Sequence, residues 1–219
     1  MLCFVGVTGL PGAGKGEFVN ILRRMLTRRG IETRYYSLSD ELRTEARRRG
    51  LTVARPVLRT IANQLRLEEG SGVLSLMVVR HLRQDLNEIA IEKRLVVIID
   101  AIRNPEEVLA LRRQLRKELV LVAVEAPLEV LVQRIAARAR FDEPEEFVSQ
   151  KAAARKMILG ESGKGEPTHG HNIAECMAMA DWRIDNSRSL ADLQQQTAHF
   201  VREMILLPGG NDDNQQDRH

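Results

Sequence analysis

The sequence is short of cysteine and aromatic residues and has no long apolar run, and each shortage removes a class of protein. Two cysteines, Cys3 and Cys176, make neither a disulfide framework nor a metal-ligand set, which fits a reducing, cytoplasmic setting. No stretch approaches the roughly 20 apolar residues of a membrane-spanning helix, so no membrane partner is expected. The apolar opening Met1-Leu2-Cys3-Phe4-Val5-Gly6-Val7 lacks a basic leader and runs straight into glycines. It reads as a buried strand rather than an export signal. Aromatics are 4% of the chain, and none interleaves with the basic clusters as stacking on nucleic acid requires. Nucleic acid is therefore not an expected partner. Net charge is only +3, yet Arg outnumbers Lys and clusters at 23–34, 43–66 and 134–140. A guanidinium grips phosphate oxygens with a planar, two-pronged geometry, which suits a polyanionic ligand; the same clusters also serve as solvated helix faces.

The 219 residues suffice for one α/β core carrying an inserted lobe. Strand candidates Leu2–Val7, Thr33–Ser37, Leu95–Asp100, Leu119–Val124 and Trp182–Ile184 are nearly continuous in apolar residues, as in a parallel sheet covered on both faces. The expected fold is a three-layer α/β/α domain over residues 1–207 with a five-stranded parallel sheet. Helices are expected at 15–28, at 40–50 with Ser39 as cap, at 57–68 and at 72–93. Asn104-Pro105-Glu106-Glu107, Pro127 and Pro144-Glu145-Glu146 mark further helix starts, and Ser187 or Ser189 a last one. The long interval 39–93 reads as a helical acceptor-binding lobe and 134–172 as a lid. Residues 160–170 read as a loop, and the polar 208–219 as a disordered tail.

Gly9-Leu10-Pro11-Gly12-Ala13-Gly14-Lys15-Gly16 lies between an apolar strand and an amphipathic helix. In that context a glycine loop presents backbone N–H groups to phosphates at the positive end of the helix dipole, and Lys15 reaches the β and γ oxygens. The expected ligand is ATP with Mg²⁺. Gly16 takes the place of the usual Ser or Thr, so the metal would be held mainly by phosphates and waters.

This loop resembles that of adenylate kinase and related nucleoside monophosphate kinases, Gly-x-Pro-Gly-x-Gly-Lys-Gly-Thr, with Glu17 in place of the final Thr. Ser37-Leu38-Ser39-Asp40-Glu41-Leu42-Arg43 is similar to the segment with which that family grips its acceptor monophosphate. The likeness implies acceptor binding by Ser39, Asp40 and Arg43, with helix capping as the alternative role of Asp40. The strand ending Asp100-Ala101-Ile102-Arg103 resembles the family's Asp-Gly-Phe-Pro-Arg, which implies that Asp100 orders water around Mg²⁺ and Arg103 binds the acceptor phosphate. Arg134 and Arg138, one helical turn apart, and Arg140 are similar to the lid arginines that neutralise the transferring group. Trp182-Arg183-Ile184-Asp185-Asn186 resembles a segment of dephospho-coenzyme A kinase. His169-Gly170-His171 has no further His or Cys to complete a metal site, so it reads as a loop in acceptor contact or lid closure.

The resemblance covers roughly residues 1–205 and implies an ATP-dependent kinase acting on a nucleotide-like small molecule: a nucleoside or deoxynucleoside monophosphate, or dephospho-coenzyme A. Lys15, Arg103, Arg134 and Arg138 would then stabilise the transferring phosphoryl group. A nucleotide-dependent switch protein is the alternative. Oligomeric state is left open.

Overall fold

The computed structural model describes residues 2–87, 94–115, 119–137 and 151–206. Strands β1 (Leu2–Thr8), β2 (Glu32–Ser37), β3 (Leu95–Ile102), β4 (Leu119–Glu125) and β5 (Trp182–Asp185) form one parallel sheet in the order β2-β3-β1-β4-β5. All five overlap the strand candidates of the sequence. Central β1 and β3 are buried along almost their whole length, whereas edge strand β2 is partly exposed and carries Thr33, Arg34 and Tyr35.

Side chains alternate across the sheet, and helices cover both faces. Ile98 points into a layer with Phe18, Leu22 and Leu26 of α1 (Lys15–Thr27). That layer is completed by α6 (Leu128–Ala136), α7 (Lys151–Ser162) and α9 (Leu190–Phe200), the last continuing as a π-helical turn over Val201–Leu206. Val97 and Ile99 face the opposite layer, made by α2 (Leu38–Arg48), α3 (Arg55–Glu69), α4 (Val73–Asn87), α5 (Pro105–Leu115) and Cys176 of α8 (Ile173–Ala178). The three-layer α/β/α expectation therefore holds. Among the described residues no helix is long and apolar enough to cross a membrane.

Helix boundaries follow local chemistry, with two corrections. The cap of α2 is Ser37, whose Oγ accepts from the Ser39 N–H at 3.2 Å, not Ser39 itself. Ser37 ends β2 in extended geometry, and buried Leu38 already belongs to the helix, so the turn starts two residues earlier than the acidic residues indicate. Helix α7 also runs through Gly160 to Ser162, where a loop was expected. Ion pairs to Glu161 supply what glycine's poor helix propensity, a cost of about 1 kcal/mol, takes away. The expected helix start at Pro144, residues 88–93 of the long fourth helix and the tail 208–219 lie outside the described residues.

Chain order places the β1–α1 turn beside the end of β3, because connections leave β1 and β3 toward opposite sides of the sheet. Crevices beyond the carboxyl ends of the strands form at such a switch point. One wall of the crevice rests on a fully buried ion pair, Arg66 Nη2 of α3 to Glu107 Oε1 of α5 at 2.7 Å. The other Glu107 oxygen, Oε2, accepts from the backbone N–H groups of Arg103 and Asn104 at 2.8 and 3.0 Å. Arg66→Ala leaves that carboxylate uncompensated. It is expected to lower unfolding free energy by about 3–5 kcal/mol, measured by urea denaturation.

Candidate functional site

The glycine loop owes its shape to contacts that no side chain could share. Gly9 has φ +148°, and a Cβ there would lie 2.2 Å from the Val124 carbonyl oxygen. Gly14 has φ +90°, and its Cβ would meet Asn186 Nδ2 at 2.1 Å. That buried Asn186 amide donates to the Ala13 carbonyl at 2.8 Å, strapping the loop to the turn after β5. Gly14, the N-cap of α1, has no side chain to bond the first N–H groups of the helix, which suits them to an anionic ligand. Lys15 Nζ curls back to donate to the carbonyls of Gly9 at 2.7 Å and Leu10 at 3.2 Å. Burial lowers the Lys15 ammonium to about 8; Asp100 opposes the shift and Arg103 adds to it.

Across the crevice β3 carries an irregularity. Gly6 pairs with Ile99 but Thr8 pairs with Ile102, and Ala101 adopts φ +66°. A left-handed alanine costs of order 1 kcal/mol or more, and an extra residue of this kind re-aims its neighbours. Here it presents Asp100 to the cleft, where Oδ1 accepts from the Ala101 N–H at 2.6 Å and Oδ2 from the Tyr35 hydroxyl at 3.1 Å. Burial and the neighbouring Asp100 push the Tyr35 phenol well up, so it remains a donor.

Beyond Asp100 lies a carboxylate shared by two arginines. Glu161 of α7, 3% exposed, accepts from Arg103 Nη1 at 2.9 Å and from Arg55 of α3 through Nε at 3.1 Å and through Nη2. Burial alone would raise this acid, but Arg103 and Arg55 outweigh it and hold Glu161 at about 2. His171, 4% exposed, stands nearby; burial, then Arg103, lowers its imidazole to about 2, so it is neutral. The Arg103 guanidinium is itself lowered by burial, against the pull of Glu161.

Loop and wall enclose a cleft of 1220 Å³. It gathers Pro11, Gly12, Gly14, Lys15 and Gly16 with Ser39, Arg43, Asp100 and Arg103, nine of the residues singled out by sequence. Gly9, Leu10 and Ala13 form the back of the loop. Arg43 Nη1 meets Asp40 Oδ1 at 3.1 Å, and the Asp40 carboxylate is otherwise exposed at the helix start. Glu17 does not face the cleft: it pairs with Arg24 at 3.4 Å along the outer face of α1. Arg134 lies behind the loop, Nη1 reaching the Gly12 carbonyl at 3.5 Å. Arg138 and Arg140 lie outside the described residues. Among the described residues no group of His, Cys, Asp and Glu is arranged to hold a metal by itself.

Sequence reasoning missed Tyr35, Arg55, Arg59 and Glu161 as site residues, and left His171 without a partner. Arg55 and Arg59 sat inside a recognised arginine cluster, but only their i, i+4 spacing on one face of α3 could have singled them out.

A family model described as an AAA domain matches residues 8–149. The chain is similar to a UPF0200 protein of Methanopyrus kandleri, 31% identical over 213 residues, covering 94% of this chain and 95% of that one. Among solved structures it is similar to shikimate kinase from Bacteroides thetaiotaomicron, with TM-score 0.52, 13% identity and coverage of 91% and 97%. The APS kinase of Mycobacterium tuberculosis, solved in complex with AMPPNP and APS, gives TM-score 0.51 and 19% identity, with coverage of 91% and 95%. These likenesses establish a P-loop kinase fold.

Lys15 makes stability depend on pH with a definite sign. Between about 8 and its ordinary 10.5 the unfolded chain holds the Lys15 proton and the folded chain does not, so this group's destabilising contribution is relieved as pH rises through that window. The difference in unfolding free energy between wild type and Lys15→Met should therefore shift in favour of wild type from pH 8 to 10.5. Denaturant titrations at both pH values measure it.

Proposed function

We propose that this chain, which belongs to the UPF0200 family, is an ATP-dependent phosphotransferase acting on a nucleotide-like acceptor. The carrying observation is that the phosphate loop and an arginine-rich wall face one cleft, close enough for Asp100, Arg103, Glu161 and Arg55 all to bias the Lys15 ammonium. One end suits a triphosphate and the other an anionic acceptor, with the transfer point between them.

In this reading residues Gly9 to Gly16 cradle the triphosphate of ATP with backbone N–H groups, and Lys15 neutralises charge on its outer phosphates. Asp100 lines the cleft and acts on Lys15 more strongly than Glu161 does, and one carboxylate beside phosphates and waters is an ordinary donor set for Mg²⁺. Bound there, Mg²⁺ would supply charge neutralisation at the phosphate oxygens. Ser39, Arg43, Arg55 and Arg103 seat the acceptor, helices α2 to α4 form its lobe, and α7 with the loop after it serves as the cover. Arg134, Arg138 and Arg140 remain the proposed lid arginines, Arg134 from its place against Gly12.

The hydrogen-bonding of the cleft carboxylates supports a phosphate acceptor over a hydroxyl one. Asp100 accepts on both oxygens, Glu161 is clamped by two arginines and Glu166 is paired with Arg59. A hydroxyl such as that of dephospho-coenzyme A benefits from a free base. A nucleoside or deoxynucleoside monophosphate attacks through an oxygen that is already ionised and needs none.

ADP release measured over a panel of monophosphates, dephospho-coenzyme A and no acceptor tests the proposal. Acceptor-dependent release is expected with monophosphates, and equal turnover without acceptor would sink the kinase reading in favour of a switch protein. Lys15→Ala should reduce turnover by about 100-fold or more, a loss typical of removing a key charge from a transfer site. Arg43→Ala should raise the acceptor KM about 10-fold while leaving the ATP KM within about 2-fold, as expected for losing one charge-assisted hydrogen bond. Equal losses for both ligands would refute that division of the cleft.

A further inference from the structure

Two buried side-chain atoms among the described residues lack a hydrogen-bond partner, Arg34 Nε and His171 Nδ1. The Arg34 guanidinium is engaged elsewhere, through Nη2 with Glu32 at 3.1 Å. His171 Nδ1 has no such explanation, and a buried orphan in a cleft wall points to a partner that arrives with a ligand.

The loop holding this imidazole is fastened on both sides. Asn104 Nδ2 donates to the carbonyls of Thr168 and Gly170 at 3.0 and 2.8 Å, and the Asn172 N–H donates to the Arg103 carbonyl at 2.7 Å. Glu166 is tied to Arg59 of α3. Such anchoring is more than a surface turn needs, and it fixes His171 against the wall of the cleft beside Arg103 and Glu161.

The chemistry of the neighbourhood narrows the ligand group. Arg55 and Arg103 already supply the positive charge that the acceptor's anionic group needs, which leaves the neutral imidazole to meet another group of the ligand. It offers one N–H donor and one lone pair. A hydroxyl, being both donor and acceptor, satisfies either tautomer, whereas a carbonyl or an amino group satisfies one. In a nucleotide the hydroxyls nearest the phosphate belong to the sugar.

We propose that His171 is a specificity-determining residue that hydrogen-bonds a ribose hydroxyl of the acceptor, so that the site discriminates ribonucleoside monophosphates from deoxy analogues. This rests on the acceptor occupying the cleft as described above. A site built to pair with a hydroxyl rejects the analogue without it, because the buried polar atom is then left unmatched.

Isothermal titration with matched 5′-monophosphates tests it: ribo, 2′-deoxy and 3′-deoxy forms of each base, against wild type, His171→Phe and His171→Asn, with folding checked by thermal melts. Wild type should bind the ribo form about 5- to 50-fold more tightly than at least one deoxy form. His171→Phe should bring the two within about 2-fold, and His171→Asn, which keeps a donor and an acceptor, should restore part of the ratio. Should the Phe variant not fold, His171→Asn is compared with His171→Leu by the same ratio. An unchanged ratio in a folded apolar variant, a wild type without discrimination, or no binding of any monophosphate overturns the proposal. Because the readout is binding, absence of turnover with every acceptor would defeat the kinase reading alone, while turnover with an unchanged ratio would defeat this one alone.

Discussion

The cleft depends on one buried carboxylate. Glu161 reaches from α7 across to Arg55 on α3 and Arg103 after β3, joining three elements at one point. Two guanidiniums at close quarters repel, and a buried acid between them is what allows both to stay charged beside Lys15. The same contact carries α7 through Gly160 and brings the following loop, with His171, against the arginine wall. Electrostatics here acts as architecture: it sets which faces meet before any ligand is considered.

The opposite wall is built on backbone rather than charge. Gly9 packs its Cα against Val124, and Asn186 hydrogen-bonds to Ala13 through the space that a Cβ on Gly14 would fill. The loop is thereby held by β4 and by the turn after β5. Between the walls, the left-handed Ala101 turns the end of β3 so that Asp100 faces the cleft. Local strain of this order persists only where surrounding structure over-determines it, and the pairing of β3 with β1 on one side and β2 on the other does so here.

Much of this was legible in the sequence. The strand–glycine loop–helix pattern of residues 2–28 is contiguous, and contiguous patterns carry their own geometry. The five strand candidates became the five strands, and Asp100 and Arg103 could be assigned to the crevice because parallel sheets bind at strand carboxyl ends. Where expectation and structure parted, core packing or helix geometry had overruled the residue type. Ser39 is a good cap by type, but Leu38 is pulled into the core and hands the role to Ser37. Glu17 follows the phosphate loop in sequence, yet helical geometry points it outward to Arg24.

By itself the sequence determined the strands, the flanking helices and the phosphate loop, because each rests on residues within a few positions of one another. Only the tertiary structure decided what faces that loop. Arg55 and Glu161 are separated by 106 positions, and nothing in the local pattern of either announces the other. His171 is one more loop histidine until folding buries it beside Arg103 and Glu161. Those meetings depend on long-range packing and on the removal of charge from water, neither of which is written at any one place along the chain.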